Sequence, residues 1–474
     1  MFANKVAKLI VATKAPSWYQ PWEYQYQRSS GGSACVVEGP QGRRLLTSGH
    51  VVARAIHVQV TRAGDPRKYN ARVEHASHDC DLALLSVDDE RFFVGTQAVE
   101  LGELPVPRAR VTVWGYPGGG EDLSVTEGLI SRIEVCGYTH SGRALLALQT
   151  DAAVNPGNSG GPVFEGAGAR LVGVALQSHR RQVYQGTHYA VPVTVVRQFL
   201  DDLADGQVSG VPDLGIHWQP LENESLRRFV GLADAEDGIL VTHVVRGSAA
   251  DGVLAERDVV TSIDGVAVAR DGTVGREHGL RVEFSDVVSR KQVGDECAIG
   301  FLRAGRSLSA RVTLKAYAAL VPLSQPARLP SYFIVGGLVF VPVTKDYMAT
   351  WEWEKVDHRL KHCFYDQVPT AARDEVVLLS HVLADDVNVG YHEAHGVVRA
   401  VNGQQVRDLR SAFEAFRSPP AGYHVIELEN RGNRLPDHPN VCSLIVLDAH
   451  QAASSAARLL RAHGVPADRS PDLE

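Results

Sequence analysis

From about residue 31 to residue 200, apolar positions come in short runs cut by glycine or charged turns: "SACVVEG", "RRLLTSG", "AIHVQVTRAG", "DLALLSV", "ARVTVWGYPG", "LISRIEVCG", "RALLALQT" and "ARLVGVALQ". Short β-rich runs at this spacing predict a barrel or sandwich. "VPVTVVRQFLDDLADG" then predicts a closing helix, with Gly206 just past its end. The stretch 205–213, "DGQVSGVPD", reads as a linker. Beyond it lie two further β-rich blocks separated by the proline-containing "ALVPLSQPARLP". Each holds a strand that runs into Asp-Gly or Asn-Gly, at Asp264-Gly265 and Asn402-Gly403. That recurrence hints at a duplicated domain type. "AHQAASSAARLLRAHG" predicts a C-terminal helix followed by a frayed tail.

Bulk composition narrows the class. The 474 residues suit about three domains. A 44% hydrophobic and 22% charged chain can bury a core in each. Its net charge of −7 and lack of a long basic tract argue against nucleic acid as the main partner. The six cysteines, at 35, 80, 136, 297, 363 and 442, form no C-x-x-C pair, so free thiols in a reducing compartment are expected. No stretch reaches the ~18 apolar residues of a membrane span. The expectation is a soluble protein, cytoplasmic or otherwise intracellular, or periplasmic where a leader has been removed. "YHEAHG" (His392, Glu393, His395) lacks the three or four convergent ligands of a metal site. No glycine motif prepares a helix for phosphate, so neither metal nor cofactor is expected.

The chemistry concentrates around "DAAVNPGNSGGP", where Ser159 sits among Gly157, Gly160 and Gly161. Glycine lets backbone curl or approach closely, which suits a serine that presents its hydroxyl and its amide. Nucleophilic serine chemistry needs a base, a buried acid and oxyanion donors. In chain order His50 ("LLTSGHVV"), Asp81 ("DLALLSV") and Ser159 follow the His, Asp, Ser order of all-β serine enzymes. Asp79 competes with Asp81, but Asp81 directly opens the apolar strand.

"TSGHVV", "DCDLALL" and "TDAAVNPGNSGGP" resemble the catalytic motifs of the HtrA/Deg serine proteases. "LGIHWQPLENESLRRFVGL", "SYFIVGGLVFVPVTKDYM" and "SLIVLD" extend the resemblance, over nearly the whole chain, to plant-type members with two tandem PDZ-like domains. The resemblance implies a mostly β fold, a chymotrypsin-like double β-barrel followed by two PDZ-like α+β domains. The divisions expected are an N-terminal segment 1–29, protease 30–204, linker 205–213, first PDZ 214–316, linker 317–330, second PDZ-like domain 331–448, and a C-terminal helix and tail 449–474. It makes Ser159 the nucleophile, His50 the base and Asp81 its orienting acid. Gly157 and Ser159 would supply oxyanion amides, with Asn158 holding the turn. Before His50 the chain has Ser48-Gly49 where the family has Asn-Ala, which loosens the expected presentation of the ring.

Ala153 stands six residues before Ser159, where trypsin-like enzymes carry an aspartate, with Val154 beside it. The expected substrate side chain is therefore small or medium and apolar, with Gln177 or His179 edging the pocket. Such side chains are buried in native folds, so unfolded or damaged proteins are the expected substrates of an ATP-independent endopeptidase. Loops 115–128 and 179–186 are expected to switch the oxyanion hole. Carboxylate capture by the PDZ domains is expected at Phe229-Val230-Gly231-Leu232 and at Val335-Gly336-Gly337-Leu338. "SWYQPWEYQYQ" reads as a strap over the barrel core or as an oligomer contact, and we favour the contact: a homo-oligomer, a trimer or larger. The alternative reading is a latent or degenerate protease acting as a PDZ scaffold or holdase.

Overall fold

The structure is a computed structural model and describes residues 3–39, 41–166, 170–176, 187–232, 236–391, 396–429 and 443–474. Gln177, His179, the 179–186 loop, Cys442 and the His392, Glu393 and His395 cluster lie outside the described residues. The chain divides into two compact units: 1–14 with 27–318, and 15–26 with 319–474.

In the first unit, six strands close a barrel in the order Val6–Thr13, Arg28–Gly39, Gly42–Ser48, Leu82–Val87, Asp65–Ser77, Ala55–Arg62. Residues 1–29 are thus no separate segment. Val6–Thr13 alternates apolar residues into the barrel and pairs with both Arg28–Gly39 and Ala55–Arg62, which closes the ring. A second ring runs Pro162–Glu165, Arg110–Gly115, Ser124–Gly137, Ala144–Thr150, His188–Pro192, Arg170–Ala175, and closes through pairing of Arg170–Ala175 with Pro162–Glu165. The helix Val193–Asp202 follows, and Gly206 ends the next turn at φ 81°.

The same unit continues into an antiparallel sheet ordered Ile216–Pro220, Ile239–Val244, Val259–Ile263, Glu296–Arg303, Arg306–Thr313. One apolar cluster spans Val113 and Leu146 of the second barrel and Val287 and Ile299 of this sheet domain.

The second unit repeats that order of five strands in Leu338–Pro342, Val377–Val382, Gly396–Val401, Tyr423–Leu428 and Leu444–Asp448. Asp264-Gly265 and Asn402-Gly403 each make a tight turn with both residues at positive φ, at equivalent places in the two sheets. An added strand, Phe333–Val335, lies on the outer edge of Leu338–Pro342.

Two expectations about the ends of the chain are corrected. The aromatic stretch belongs to the core of the second unit: Trp18 is 7% exposed there, with Tyr332, Val341 and Tyr347. Tyr19 stacks on His381 at 4.6 Å, and Trp22 packs edge-on to Tyr332. The last residues are docked, because Asp468 O accepts from Ile334 N, Tyr332 O accepts from Ser470 N, and Leu473 is buried. Apolar area removed from water outweighs the entropy of ordering these short segments. No helix among the described residues is long and apolar enough to cross a membrane.

Candidate active site

His50 stands in the short helix Gly49–Val52, which follows strand Gly42–Ser48, and Asp81 immediately precedes strand Leu82–Val87. These two strands are neighbours in the first barrel, with Ser48 opposite Leu82. The pairing brings residues 31 positions apart into contact. Asp81 Oδ2 lies 2.7 Å from His50 Nδ1, and Asp81 Oδ1 accepts from His50 N at 2.6 Å. An ionised carboxylate only accepts, so Nδ1 carries the proton and Nε2 is left as a basic lone pair. Asp81 is fully buried, yet its pKa is lowered: burial opposes ionisation, while the charge and hydrogen bonds of His50 and the charge of His140 favour it and win. Asp79 has a different task. Its Oδ2 accepts from Val211 N at 3.3 Å, tying down the 205–213 segment.

Ser159 reaches this corner through its glycines. A Cβ on Gly160 would stand 2.1 Å from Thr47 Oγ1 and 2.8 Å from Ser48 N, and φ there is +81°. Glycine is therefore required for the turn to lie against the segment that leads into His50. The contact is fastened by Ser33 N donating to Ser159 O at 2.9 Å and by Ser48 Oγ donating to Ala175 O at 3.0 Å. Gly160 N donates to the same Ala175 carbonyl at 2.9 Å. Ser159 is half-buried, and among the described residues no hydrogen bond within 3.5 Å joins it to His50.

The amides of the turn divide into two sets. Asn158, Gly160 and Gly161 donate to Asn155 O, Ala175 O and Asn158 O. Those of Gly157 and Ser159 meet no acceptor among the described residues. Pro156 O accepts from Gly118 N at 2.6 Å, so the trans peptide aims Gly157 N–H away from the 117–119 turn. Ser33 Oγ donates to Gly157 O at 2.7 Å and accepts from Tyr116 N at 2.9 Å. Asn158 is buried inside the turn.

The family model described as "Trypsin-like peptidase domain" matches residues 32–174, and that described as "PDZ domain" matches 321–472. "Protease Do-like 2, chloroplastic" of Arabidopsis thaliana is 37% identical over all of this chain and 76% of its own length. "Protease Do-like 4, mitochondrial" of the same plant is 35% identical over 99% of this chain and 86% of its own. The chain belongs to the Do-like (HtrA/Deg) serine proteases. Among solved structures, the HtrA-type protease AlgW with a tripeptide aligns over 66% of this chain and 94% of its own, at 29% identity and TM-score 0.50. A variant of it with a decapeptide gives 26% identity over 68% and 95%, at TM-score 0.51.

Other expected positions in this Do-like protease fare unevenly. Ala153 is exposed and its carbonyl accepts from Thr126 Oγ1, whereas Val154 is buried in the core of the second barrel. The expected capture loop at Phe229, Val230, Gly231 and Leu232 is corrected. Val230 N, Gly231 N and Leu232 N donate to Leu226 O, Arg228 O and Arg227 O, closing the helix Glu224–Phe229, so none can receive a carboxylate. At Val335-Gly336-Gly337-Leu338 the glycines form a tight hairpin turn. Asn388 Nδ2 donates to Gly336 O, and Leu447 and Leu459 pack against the two glycines.

Sequence reasoning missed three features. In the first sheet Ile216–Pro220 is one of two edge strands, the other being Arg306–Thr313, and is entered through Leu214 and Gly215. A crevice of about 90 Å³, lined by Leu214, Ile216, Phe284 and Val288, adjoins it. "DLGI" before an alternating strand was the available signal. Arg143, 5% exposed, reaches that entrance from the second barrel. It donates to Val211 O and Pro212 O and stacks over Tyr317 at 4.5 Å. His140, from the same 137–143 hairpin, lies 6.1 Å from the His50 ring between centroids and hydrogen-bonds His78 at 2.8 Å. No sequence spacing relates residues 50, 78 and 140.

Proposed function

The protein is a serine endopeptidase, and we propose that its reacting groups are Ser159, His50 and Asp81. Ser159 Oγ attacks the scissile carbonyl carbon as its proton passes to His50 Nε2. Asp81 fixes the ring's tautomer and stabilises the imidazolium. Gly157 N–H and Ser159 N–H receive the oxyanion, a contribution of about 3 kcal/mol per donor to the barrier. His50 then protonates the leaving amine, and water attacks the acyl-enzyme by the reverse route. The observation that carries this reading is the double contact of Asp81 with the amide and ring of His50, beside a serine turn whose glycine fits only against Thr47 and Ser48.

The substrates we propose are unfolded or damaged proteins, cut after small or medium apolar residues. Ala153 offers no counter-charge to a cation. Residues 30–204, with strand Val6–Thr13, make the protease domain, and 214–316 and 331–448 two PDZ-like domains. Peptides would add to the Ile216–Pro220 edge of the first. The second has its corresponding edge taken by Phe333–Val335 and serves packing instead. Association into a homo-oligomer is part of this proposal, with exposed Tyr24 and Tyr26 as contacts.

Fluorophosphonate labelling of the full chain with mapping of the modified residue tests the chemistry: label on Ser159, lost in Ser159→Ala, is expected, and label elsewhere overturns it. Cleavage profiling of a denatured protein tests specificity, where dominant cutting after Lys or Arg rejects the apolar pocket. A single-subunit mass in light scattering rejects the oligomer.

A further inference from the structure

Lys8 is an unusual side chain for its place. It lies on strand Val6–Thr13 with its side chain 5% exposed, and its ammonium lies 2.9 Å from Glu121 Oε1. Glu121 is itself 88% exposed, projecting from the glycine-rich turn that follows Tyr116. A lysine so buried is costly unless it is paired. The pair also holds the Glu121 carboxyl below its ordinary pKa, chiefly through the hydrogen bond.

What that turn touches gives the pair its meaning. At its start, Tyr116 N is held by Ser33 Oγ, which also grips Gly157 O. In its middle, Gly118 N donates to Pro156 O. Gly118 and Gly119 both take positive φ, at 62° and 72°, and a Cβ on either would meet nothing within 4 Å. Glycines in open space give a turn little reason of its own to keep one shape. Its far end is secured by Glu121 on Lys8.

We propose that the Lys8–Glu121 ion pair is a latch that positions the 117–121 turn against Pro156, and through it the Pro156–Gly157 peptide for oxyanion binding. With the latch open, Pro156 O loses its donor and the peptide is free to rotate, which withdraws Gly157 N–H from the substrate oxygen. Lys8 and Glu121 are positioning residues that touch no reacting atom. The inference rests on Gly157 and Ser159 being the oxyanion donors.

The test uses the full chain with Glu121→Gln, Glu121→Asp, Lys8→Met and the double variant Lys8→Met/Glu121→Gln. Cleavage kinetics on an unfolded protein are paired with the affinity of an apolar peptide boronate, which mimics the tetrahedral oxyanion. Glu121→Gln leaves Lys8 an oxygen to donate to but no counter-charge, so the melting temperature of every variant is recorded beside its kinetics and Lys8→Met, which removes the buried cation, serves as the second variant. Glu121→Gln should lower kcat about ten-fold with KM within two-fold, and weaken the boronate by the same ratio. Glu121→Asp should recover most of the loss, and the double variant should be no worse than the worse single one. Wild-type kcat and boronate affinity in Glu121→Gln, or single losses that multiply in the double variant, overturn the latch. Wild-type label on a residue other than Ser159 would overturn the underlying reading instead, so the two failures are distinguishable.

Discussion

One carboxylate holds His50 twice: Asp81 Oδ1 accepts from its backbone amide and Oδ2 from its ring. Asp81 has φ 55°, a left-handed conformation that asparagine also tolerates. Asp81→Asn therefore keeps the backbone and removes the charge, leaving an amide that can hold the wrong tautomer. Turnover should fall about 10⁴-fold with little change in melting temperature, measured on a casein-type substrate. A loss under ten-fold would remove Asp81 from the machinery.

Gly160→Ala should be far more damaging than its size suggests. The new methyl would overlap Thr47 Oγ1 and Ser33 O, the latter at 2.4 Å, in a backbone conformation that alanine resists. The expected cost is about 3 kcal/mol or more in urea unfolding, with loss of fluorophosphonate labelling. Gly49→Ala is the contrast. Its Cβ would meet Asp81 Oδ1 at 3.3 Å, so a shift of a few tenths of an ångström accommodates it and activity should stay within a few-fold.

Trp18 ties residues far apart in sequence into the core of the second unit. Trp18→Ala should destabilise that unit by about 3–5 kcal/mol and open residues 319–474 to limited proteolysis. Unchanged protection there would show that the strap is dispensable.

His381 gives the second unit a pH dependence. Burial pushes its pKa down to about 4, against about 6.5 for a free imidazole. Between these values the unfolded chain binds a proton that the folded one refuses. Stability is thus fully present above pH 6.5 and declines as pH falls toward 4. Urea unfolding followed on the second unit should show this slope in wild type and a flatter one in His381→Gln. An identical slope in both would assign it to other groups.

Local pattern was enough for the strands, for the turns at Asp264-Gly265 and Asn402-Gly403, and for the closing helix with its Gly206 stop. Each of these depends on periodicity or on a glycine-compatible dihedral within a few residues. The candidate triad was legible for a related reason, since each member sits at a strand end inside a short motif. The expectation at "FVGL" failed because a string does not show which amides a helix end will use. At 230–232 all three amides close the helix Glu224–Phe229.

The sequence alone determined the fold class, the enzyme class and the family, because these reside in short contiguous stretches whose backbone demands are local. Only tertiary structure decided that Val6–Thr13 closes the first barrel and that the aromatic strap packs on the far end of the chain. It also decided that His140 neighbours His50 and that Lys8 reaches Glu121 across 113 positions. These are contacts between distant segments, and what selects them is the area each buries and the charge each leaves paired, which no local pattern encodes.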